Sequence, residues 1–143
     1  MPERELNNVE LVYQIMCDDV RLEIGNKLSL MGIFQEMYVQ KLPIILPKVA
    51  IVSQWRGEGD FFSEVRILTP DRTVMIANSP TTSFQIPQNG YANNITFFMN
   101  LHFERPGDYI AQTYLNGILF TERKITVGLI RPSSNIPTSE HIN

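Results

Sequence analysis

Residues that could form a disulfide, a metal centre or a nucleophilic site are scarce in this sequence, which has one cysteine and two histidines in 143 residues. The lone Cys17 cannot form an intrachain disulfide, so a reducing compartment such as the cytoplasm is the expected location. One cysteine and two separated histidines also fall short of a usual structural zinc site. The sequence therefore predicts no bound cofactor.

Long hydrophobic runs and clusters of basic residues are missing too. The longest apolar stretches are far shorter than the roughly 20 residues that a membrane-spanning helix needs, and the first ten residues, MPERELNNVE, are too polar for a signal peptide. The formal net charge is −3, with 12 Lys and Arg scattered among 15 Asp and Glu. Because proteins that bind nucleic acid cluster basic residues against the phosphates, we expect neither nucleic acid nor a membrane as partner.

Recognisable catalytic motifs are also missing: the sequence has no Gly-x-Ser-x-Gly elbow, no glycine-rich phosphate loop and no His-Glu-x-x-His pair. His102 lies on the polar side of an alternating pattern, which favours a solvated histidine over a general base. Asp18, Asp19, Asp60 and Asp71 could offer oxygen ligands to calcium, but they lie in separate contexts without the spacing of a calcium loop. We keep Asp18, Asp19 and His102 as a candidate polar site.

The sequence does have a clear period of two. Residues 94–104 alternate between apolar and polar side chains except at Phe98, which indicates a half-buried strand. Similar patterns predict strands over 49–55, 61–69 and 73–78, and no segment keeps a helical period over three turns.

About eight strands without helices predict an all-β fold. We expect a two-sheet antiparallel sandwich of the immunoglobulin-like kind, with a β-barrel as the alternative. Residues 1–130 are expected to form one domain, and residues 131–143, which are polar and interrupted by prolines, a loosely held tail.

Two dipeptides predict hairpins. Pro106-Gly107 fits a type II turn, and Asn116-Gly117 fits the type I′ turn that needs positive φ at both residues. Both are treated as two-residue loops, and Tyr109 is expected to pack inward. The predicted pairs are Phe103 with Ile110, Leu101 with Gln112, Met99 with Tyr114, Leu115 with Ile118, Tyr114 with Leu119, and Thr113 with Phe120.

Three further segments are predicted as connections. Residues 41–47 are expected to cross between sheets, 56–60 to form a flexible hairpin loop, and 79–93 to form a surface loop that could contain a short strand at 83–86. Trp55 continues the inward phase of residues 49–53 and is expected in the core.

The predicted register also assigns the two faces of the sheet. The inner face would hold Phe97, Met99, Leu101, Phe103, Ile110, Tyr114, Leu119 and Ile125. Four apolar residues would share the outer face: Phe98, Leu115, Ile118 and Phe120. Such a group is either covered by the same chain, through 79–93 or 41–47, or offered to a partner. We expect cover and keep the four as the candidate interaction surface.

The apolar phase of residues 9–17 slips by one residue at Asp18 and Asp19 and resumes at Val20. A β-bulge at the two aspartates would explain the slip. The strand is then expected to turn through the three-residue loop Gly25-Asn26-Lys27.

Three stretches carry a resemblance: Met16–Arg21, Gly25–Phe34 and Leu46–Val49. With the later Pro-Gly-x-Tyr turn they resemble a family of small bacterial proteins of unknown function, in which a CD-x-x-R-x-E-x-GNK-x-SL-x-GI stretch opens the domain. The resemblance covers most of residues 13–127. It implies a compact bacterial domain with no assigned activity. Because no functional residues are assigned in the family, none can be carried over to this chain.

Taken together, these features predict a non-catalytic module that binds another protein or a second copy of itself. The alternative is a metal-dependent ligand binder or enzyme that uses the acidic loops. A ligand that binds the folded state selectively raises its melting temperature, so a screen with divalent cations and sugars separates the two hypotheses.

Overall fold

The computed structural model describes residues 6–130, and these residues are all-β apart from one 3-10 turn at Leu6–Asn8. None of them forms a helix that could span a lipid bilayer. The predicted tail, 131–143, lies outside the described residues. The strands are β1 (Val9–Cys17), β2 (Asp19–Glu23), β3 (Lys27–Met31), β4 (Glu36–Val39), β5 (Ile44–Leu68), β6 (Met75–Asn78), β7 (Thr82–Phe103), β8 (Gly107–Leu115) and β9 (Ile118–Leu129).

Strand β5 organises the larger of two sheets. Its first half pairs with β1 on one side and with β7 on the other, as Ala50 shows by facing both Cys17 and Phe97. Its second half pairs with β8 on the first side and with β7 and then β6 on the second. The chain of pairing continues from β8 through β9 to β4, while β2 and β3 form a separate two-stranded sheet.

The all-β prediction is confirmed, and the large sheet contains seven strands. Its pairs are antiparallel except for β4 and β9, which run parallel, so the expectation of a purely antiparallel arrangement is wrong at this edge. The sheet curls, so that strands distant in the pairing order contribute to one apolar cluster. This cluster contains Met16 of β1, Val49 of β5, Phe98 of β7, Tyr109 of β8 and Ile125 of β9.

The predicted hairpin loop at 56–60 is wrong, because β5 continues through it. Gly57 and Gly59 have φ of 144° and 128°, and the pairing with β7 shifts between them. A side chain would be excluded at Gly57, where a Cβ would lie 1.9 Å from the backbone oxygen of Asn8. The strand therefore bends at these glycines without ending.

The predicted surface loop at 79–93 is also wrong over most of its length. Strand β7 begins at Thr82 and pairs with β5 almost continuously to Phe103. The short strand suggested at 83–86 is confirmed as its first part.

The Asn116-Gly117 hairpin is confirmed. The two residues have φ of 52° and 79°, and Leu115 faces Ile118 as predicted. Tyr114 faces Leu119, but the register then shifts, so Thr113 faces Thr121 instead of Phe120.

The hairpin predicted at Pro106-Gly107 is wrong. Strand β7 pairs with β5, so that Phe103 faces Ile44, whereas β8 pairs with β5 and β9. The chain thus passes between two parts of the curled sheet at this turn. The predicted pairs that depended on the hairpin do not form: Phe103 with Ile110, Leu101 with Gln112, and Met99 with Tyr114.

The predicted inner face is right at Leu101, Phe103 and Ile125, which share one buried cluster, and wrong elsewhere. Ile110 is buried but faces Lys124, on the side of β8 opposite to Tyr109. The side-chain phase of β7 changes at Asn100, whose φ is 55°. Between the facing pairs Leu46–Leu101 and Lys48–Met99 lies Pro47, which has no N–H to donate to the ladder. As a result Phe98 is buried, whereas Phe97 and Met99 are exposed. In the β8–β9 hairpin, which has its own register shift, Leu119 is exposed and Tyr114 is half-buried.

The bend predicted at Asp18 and Asp19 is present in a different form. Strand β1 ends at Cys17, and β2 belongs to the other sheet, so the chain leaves the large sheet here instead of bulging within it. The hairpin that follows has a three-residue loop, 24–26, one residue earlier than predicted. Its apolar residues Leu22 and Ile24 are 71% and 95% exposed and do not resume the inward phase.

Three apolar clusters and a polar layer form the interior. The second cluster surrounds Trp55, which is fully buried as predicted. Buried hydrogen bonds cross the region: the Gln14 amide donates to Ser53 and Thr113 at 3.1 and 2.9 Å. Ser63 Oγ donates to the side-chain Oδ1 of Asn94 at 2.9 Å. These bonds satisfy polar groups that would otherwise be costly to bury.

Replacing Gly57 by alanine tests the bend in β5. We expect the free energy of unfolding to fall by at least about 2 kcal/mol, because the new Cβ meets backbone atoms and φ is unfavourable. Gly25→Ala is the matched control: φ is 86° there, but the Cβ would have only Lys27 Cε, at 4.0 Å, nearby. Equal losses in urea titrations of the two variants would contradict the close approach at Gly57.

Candidate functional site

The structure does not bring the three candidate polar residues together in one site. Asp18 and Asp19 lie at the bend between β1 and β2, while His102 lies near the end of β7 opposite Ile45. The Asp18 carboxylate packs on Gly32, where a Cβ would lie 2.2 Å from Oδ2. Its position is that of a side chain that fixes the bend.

Asp19 joins the small sheet to the large one. Its Oδ1 accepts hydrogen bonds from the Val20 N–H and the Lys48 ammonium, both at 2.9 Å. The Lys48 ammonium holds the pKa of this carboxyl below its usual range. The carboxylate is therefore engaged at the start of β2, and the nearby Cys17 thiol is fully buried.

Asp71 has a similar structural role in the turn between β5 and β6. Its Oδ1 accepts hydrogen bonds from the Thr73 and Thr69 hydroxyls, both at 2.7 Å, and from the Thr73 N–H at 3.0 Å. These donors, with the Thr73 hydroxyl first, lower the pKa of Asp71 to about 2. Asp60 is an exposed residue of β5. Among residues 6–130, no three His, Cys, Asp or Glu side chains are grouped so that they could hold a metal ion.

A cleft of about 690 Å³ lies between this turn and the end of β7. Its lining includes Asp71, His102, Glu104, Arg105 and the edge of Tyr109. His102 Nε2 lies 3.6 Å from Glu104 Oε2, and the buried Tyr109 donates its hydroxyl to the Arg105 carbonyl at 2.7 Å. His102 and Asp71 thus line the same cleft, whereas Asp18 and Asp19 lie elsewhere.

The four residues of the predicted interaction surface do not share one exposed face. Phe98 is 5% exposed and Leu115 is fully buried, and they belong to different clusters. Phe120 packs edge-on against Trp55 with ring centroids 5.2 Å apart, and Ile118 is half-buried. The expected grouping is wrong because the phase change at Asn100 places Phe98 in another cluster, while Leu115 and Phe120 pack together around Trp55.

The expected cover by the same chain agrees with these positions. Leu42, Ile44 and Leu46 pack against the cluster of Phe98. Ile86 belongs to the cluster of Leu115, and Phe84 packs against it. Segments 41–47 and 79–93 thus supply the apolar neighbours.

A different surface is distinguished by its lack of charge. The 31 residues from Thr73 to Phe103 contain no Asp, Glu, Lys or Arg, although 19% of the whole chain is charged. They form β6 and β7, which lie along the same side of β5. Within residues 6–130 β7 pairs with β5 alone, so its other side is a free sheet edge. We call residues 73–103 the uncharged edge.

The middle of this edge presents apolar side chains to solvent. Tyr91, Phe97 and Met99 are 54%, 39% and 63% exposed and alternate along β7 with inward residues. Lys48 lies over the Phe97 ring, 4.8 Å from its centroid, and Arg56 faces Tyr91 in the ladder. The sequence feature that marks this surface is the absence of charged residues from 73 to 103. Apolar alternation and turn motifs do not reveal such an absence.

The sequence matches a known family over most of its length. Residues 12–128 match DUF6941, a family of unknown function. The chain belongs to this family. The expectation of an uncharacterised family is thereby confirmed, while the bacterial origin and the N-terminal motif stay predictions. No curated protein matches the sequence.

A solved structure with a similar fold is the Pseudomonas fluorescens alkylpurine DNA glycosylase AlkC bound to DNA containing an abasic site analog. The TM-score is 0.51 at 7% sequence identity, and the match covers 85% of this chain. It covers only 30% of the glycosylase chain, so this chain spans less than a third of that protein. At this identity the likeness is one of fold alone.

The turn at Asp71 makes a prediction about acid stability. Because its pKa is about 2 in the folded protein and 3.8 ordinarily, ionised Asp71 stabilises the fold above pH 3.8, and this contribution is lost as the pH falls towards 2. We expect Asp71→Asn to flatten the decline of the free energy of unfolding between about pH 5 and pH 2. Urea titrations across this range measure it, with Asp60→Asn as control; equal slopes in wild type and Asp71→Asn would contradict the role of the turn.

Proposed function

We propose that the protein is a non-catalytic binding module that contacts another protein through its uncharged edge. The observation that carries the proposal is the coincidence of a free edge strand with 31 residues that have no Asp, Glu, Lys or Arg. An edge strand offers a row of unpaired N–H and C=O groups, to which an extended segment of a partner can add as a further strand.

Devices that usually protect an edge lie within β7 on either side of residues 91–99. Pro87, Asn89 with a φ of 54°, and Gly90 lie on one side, and Asn100 with a φ of 55° lies on the other. Residues 91–99, YANNITFFM, contain no charge, proline or glycine. A long unprotected strand of this kind is a hazard unless a partner covers it. A partner protein bound along the edge would cover residues 91–99.

The distribution of charge bears on the class of partner, and the single cysteine bears on the cellular location. The uncharged edge has no Lys or Arg that could neutralise a phosphate, which favours protein over nucleic acid as partner. A cytoplasmic location is supported by Cys17, a single thiol that is fully buried and cannot pair within the chain.

For the architecture, we propose an immunoglobulin-like arrangement of the curled sheet. It is supported by the Tyr109 hydroxyl, which donates to a carbonyl four residues upstream as in the tyrosine corner of such domains. A crystal structure tests it: the part with β1, the first half of β5 and β7 should cross the part with β8 and β9 at about 30°.

A second candidate function is ligand binding in the cleft beside His102. The cleft supports it by bringing polar side chains together in a concavity of about 690 Å³, a size typical of small-molecule sites. A melting-temperature screen with divalent cations and sugars tests this alternative, since a bound ligand stabilises the folded state.

The main proposal is tested by placing negative charge on the edge. In the double variant Tyr91→Glu/Met99→Glu, each new carboxylate faces a basic residue of β5, Arg56 or Lys48, so we expect the fold to survive. The matched control is Leu22→Glu/Ile24→Glu, which makes the same charge change at exposed apolar positions of the β2–β3 hairpin region.

Wild type and both variants serve as tagged baits in the native host, and captured proteins are identified by mass spectrometry. We expect a protein that is retained by wild type and by the control, lost from the edge variant, and bound again when purified. A set of captured proteins that is the same for all three baits would overturn the proposal.

A further inference from the structure

We infer that the uncharged edge pairs with the same edge of a second copy, so that the chain forms a two-fold symmetric dimer by antiparallel addition of residues 91–99. This inference rests on the proposed use of the edge for protein binding and specifies the partner.

The absence of charge on the contact strand removes an electrostatic obstacle to self-association. In an isologous dimer each charge on the contact strand meets a surface that carries the same charges, so charged edges face repulsion or desolvation on self-association. The chain carries a net charge of −3, and none of its charged side chains comes from residues 73–103. Every other strand of at least five residues contains Asp, Glu, Lys or Arg. Strand β7 is therefore the edge at which two copies meet with no like charges on the paired strands.

The side-chain pattern of residues 91–99 also suits antiparallel pairing with a second copy. With the two-fold axis at Ile95, antiparallel pairing sets Tyr91 opposite Met99 of the second copy and Asn93 opposite Phe97 of the second copy. Tyr91, Phe97 and Met99 are the exposed apolar residues of this strand, and all three point to the face that half-buries Ile95. Pairing brings an aromatic ring against a thioether twice, a contact that is favourable for both.

The length of the regular part of the edge is sufficient for an interface between two copies. The positive φ at Asn89 and Asn100 bounds the regular part of the edge, and Ile95 lies at the middle of residues 91–99. Nine residues paired about a two-fold axis exchange about eight to ten backbone hydrogen bonds, as many as a typical protein interface holds. The opposite face of the strand already serves the core through Asn94, Thr96 and Phe98, so the new sheet would continue each core without disturbing it.

Other edges of the sheet are less suited to a second copy. Strand β4 has four residues and includes Glu36. The outer side of β1 is partly occupied, since Phe34 donates its N–H to the Met16 carbonyl at 3.0 Å and Arg123 donates to the Gln14 carbonyl.

Charge exchange at the facing pair tests the dimer and its register together. The double variant Asn93→Lys/Phe97→Lys places lysine opposite lysine at two points of the two-fold pair, and Asn93→Glu/Phe97→Glu places glutamate opposite glutamate. Both positions are exposed in the single chain. A mixture of the two variants restores opposite charges at both points.

Mass in solution is measured by light scattering during size exclusion over a range of concentrations. We expect wild type to rise to twice the chain mass of 16.4 kDa, each double variant to stay at one chain mass, and the equimolar mixture to recover the dimer. A wild type that stays at one chain mass, or a mixture of folded variants that stays monomeric, overturns the inference.

A second measurement uses wild type alone and does not depend on the folding of the variants. Amide hydrogen exchange is compared at low and high protein concentration, and protection is expected to increase within residues 91–99. Unchanged exchange there overturns the inference. If wild type is monomeric and Tyr91→Glu/Met99→Glu still loses its captured partner, the dimer fails while the proposed function stands; if capture is unaffected, the proposed function fails.

Discussion

The uninterrupted passage of β5 through the large sheet is the constraint on which the rest of the structure depends. Its 25 residues pair with four other strands, so that both parts of the curled sheet are built on one backbone. The passage requires Gly57, because the carbonyl of Asn8 occupies the space where any side chain would begin. Two strands separated by a hairpin at this point would have to be held together by side chains alone. A continuous ladder keeps the apolar residues of both parts in one cluster.

The free edge is a consequence of that arrangement. Among the strands of residues 6–130, β8 leads on from β5 to β9 and β4, whereas β6 and β7 on the other side pair with β5 alone. A sheet that curls without closing must leave edges, and proteins usually protect long ones with charge or proline. Here the protection lies outside residues 91–99, and the exposed rings of Tyr91 and Phe97 lie within them. The proposed binding of a partner along this edge accounts for the composition of the strand.

The parts of the fold that could be predicted from the sequence are those set by local backbone chemistry. Asn116-Gly117 fixes its own turn because both residues accept positive φ, and Trp55 is buried in phase with its strand. Pro106-Gly107 is an equally good local signal, yet the choice of partner for β7 depends on β5, some fifty residues away. The phase change at Asn100 could not be predicted, because asparagine only sometimes adopts a positive φ and the flanking residues do not indicate it.

The candidate site shows the same division between local and distant causes. The aspartates that looked available for ligands are held by short-range partners, Asp71 by two threonines of its own turn and Asp19 by the following N–H and Lys48. Such carboxylates are conspicuous in a sequence because turns and strand starts favour them, so their presence says little about chemistry. A stretch without charge is informative for the opposite reason. Tyr91 and Met99 lie on the solvent face of β7, where the fold itself does not require apolar side chains. The proposed binding role of the edge accounts for both residues, whereas the acidic turns are explained by their own hydrogen bonds.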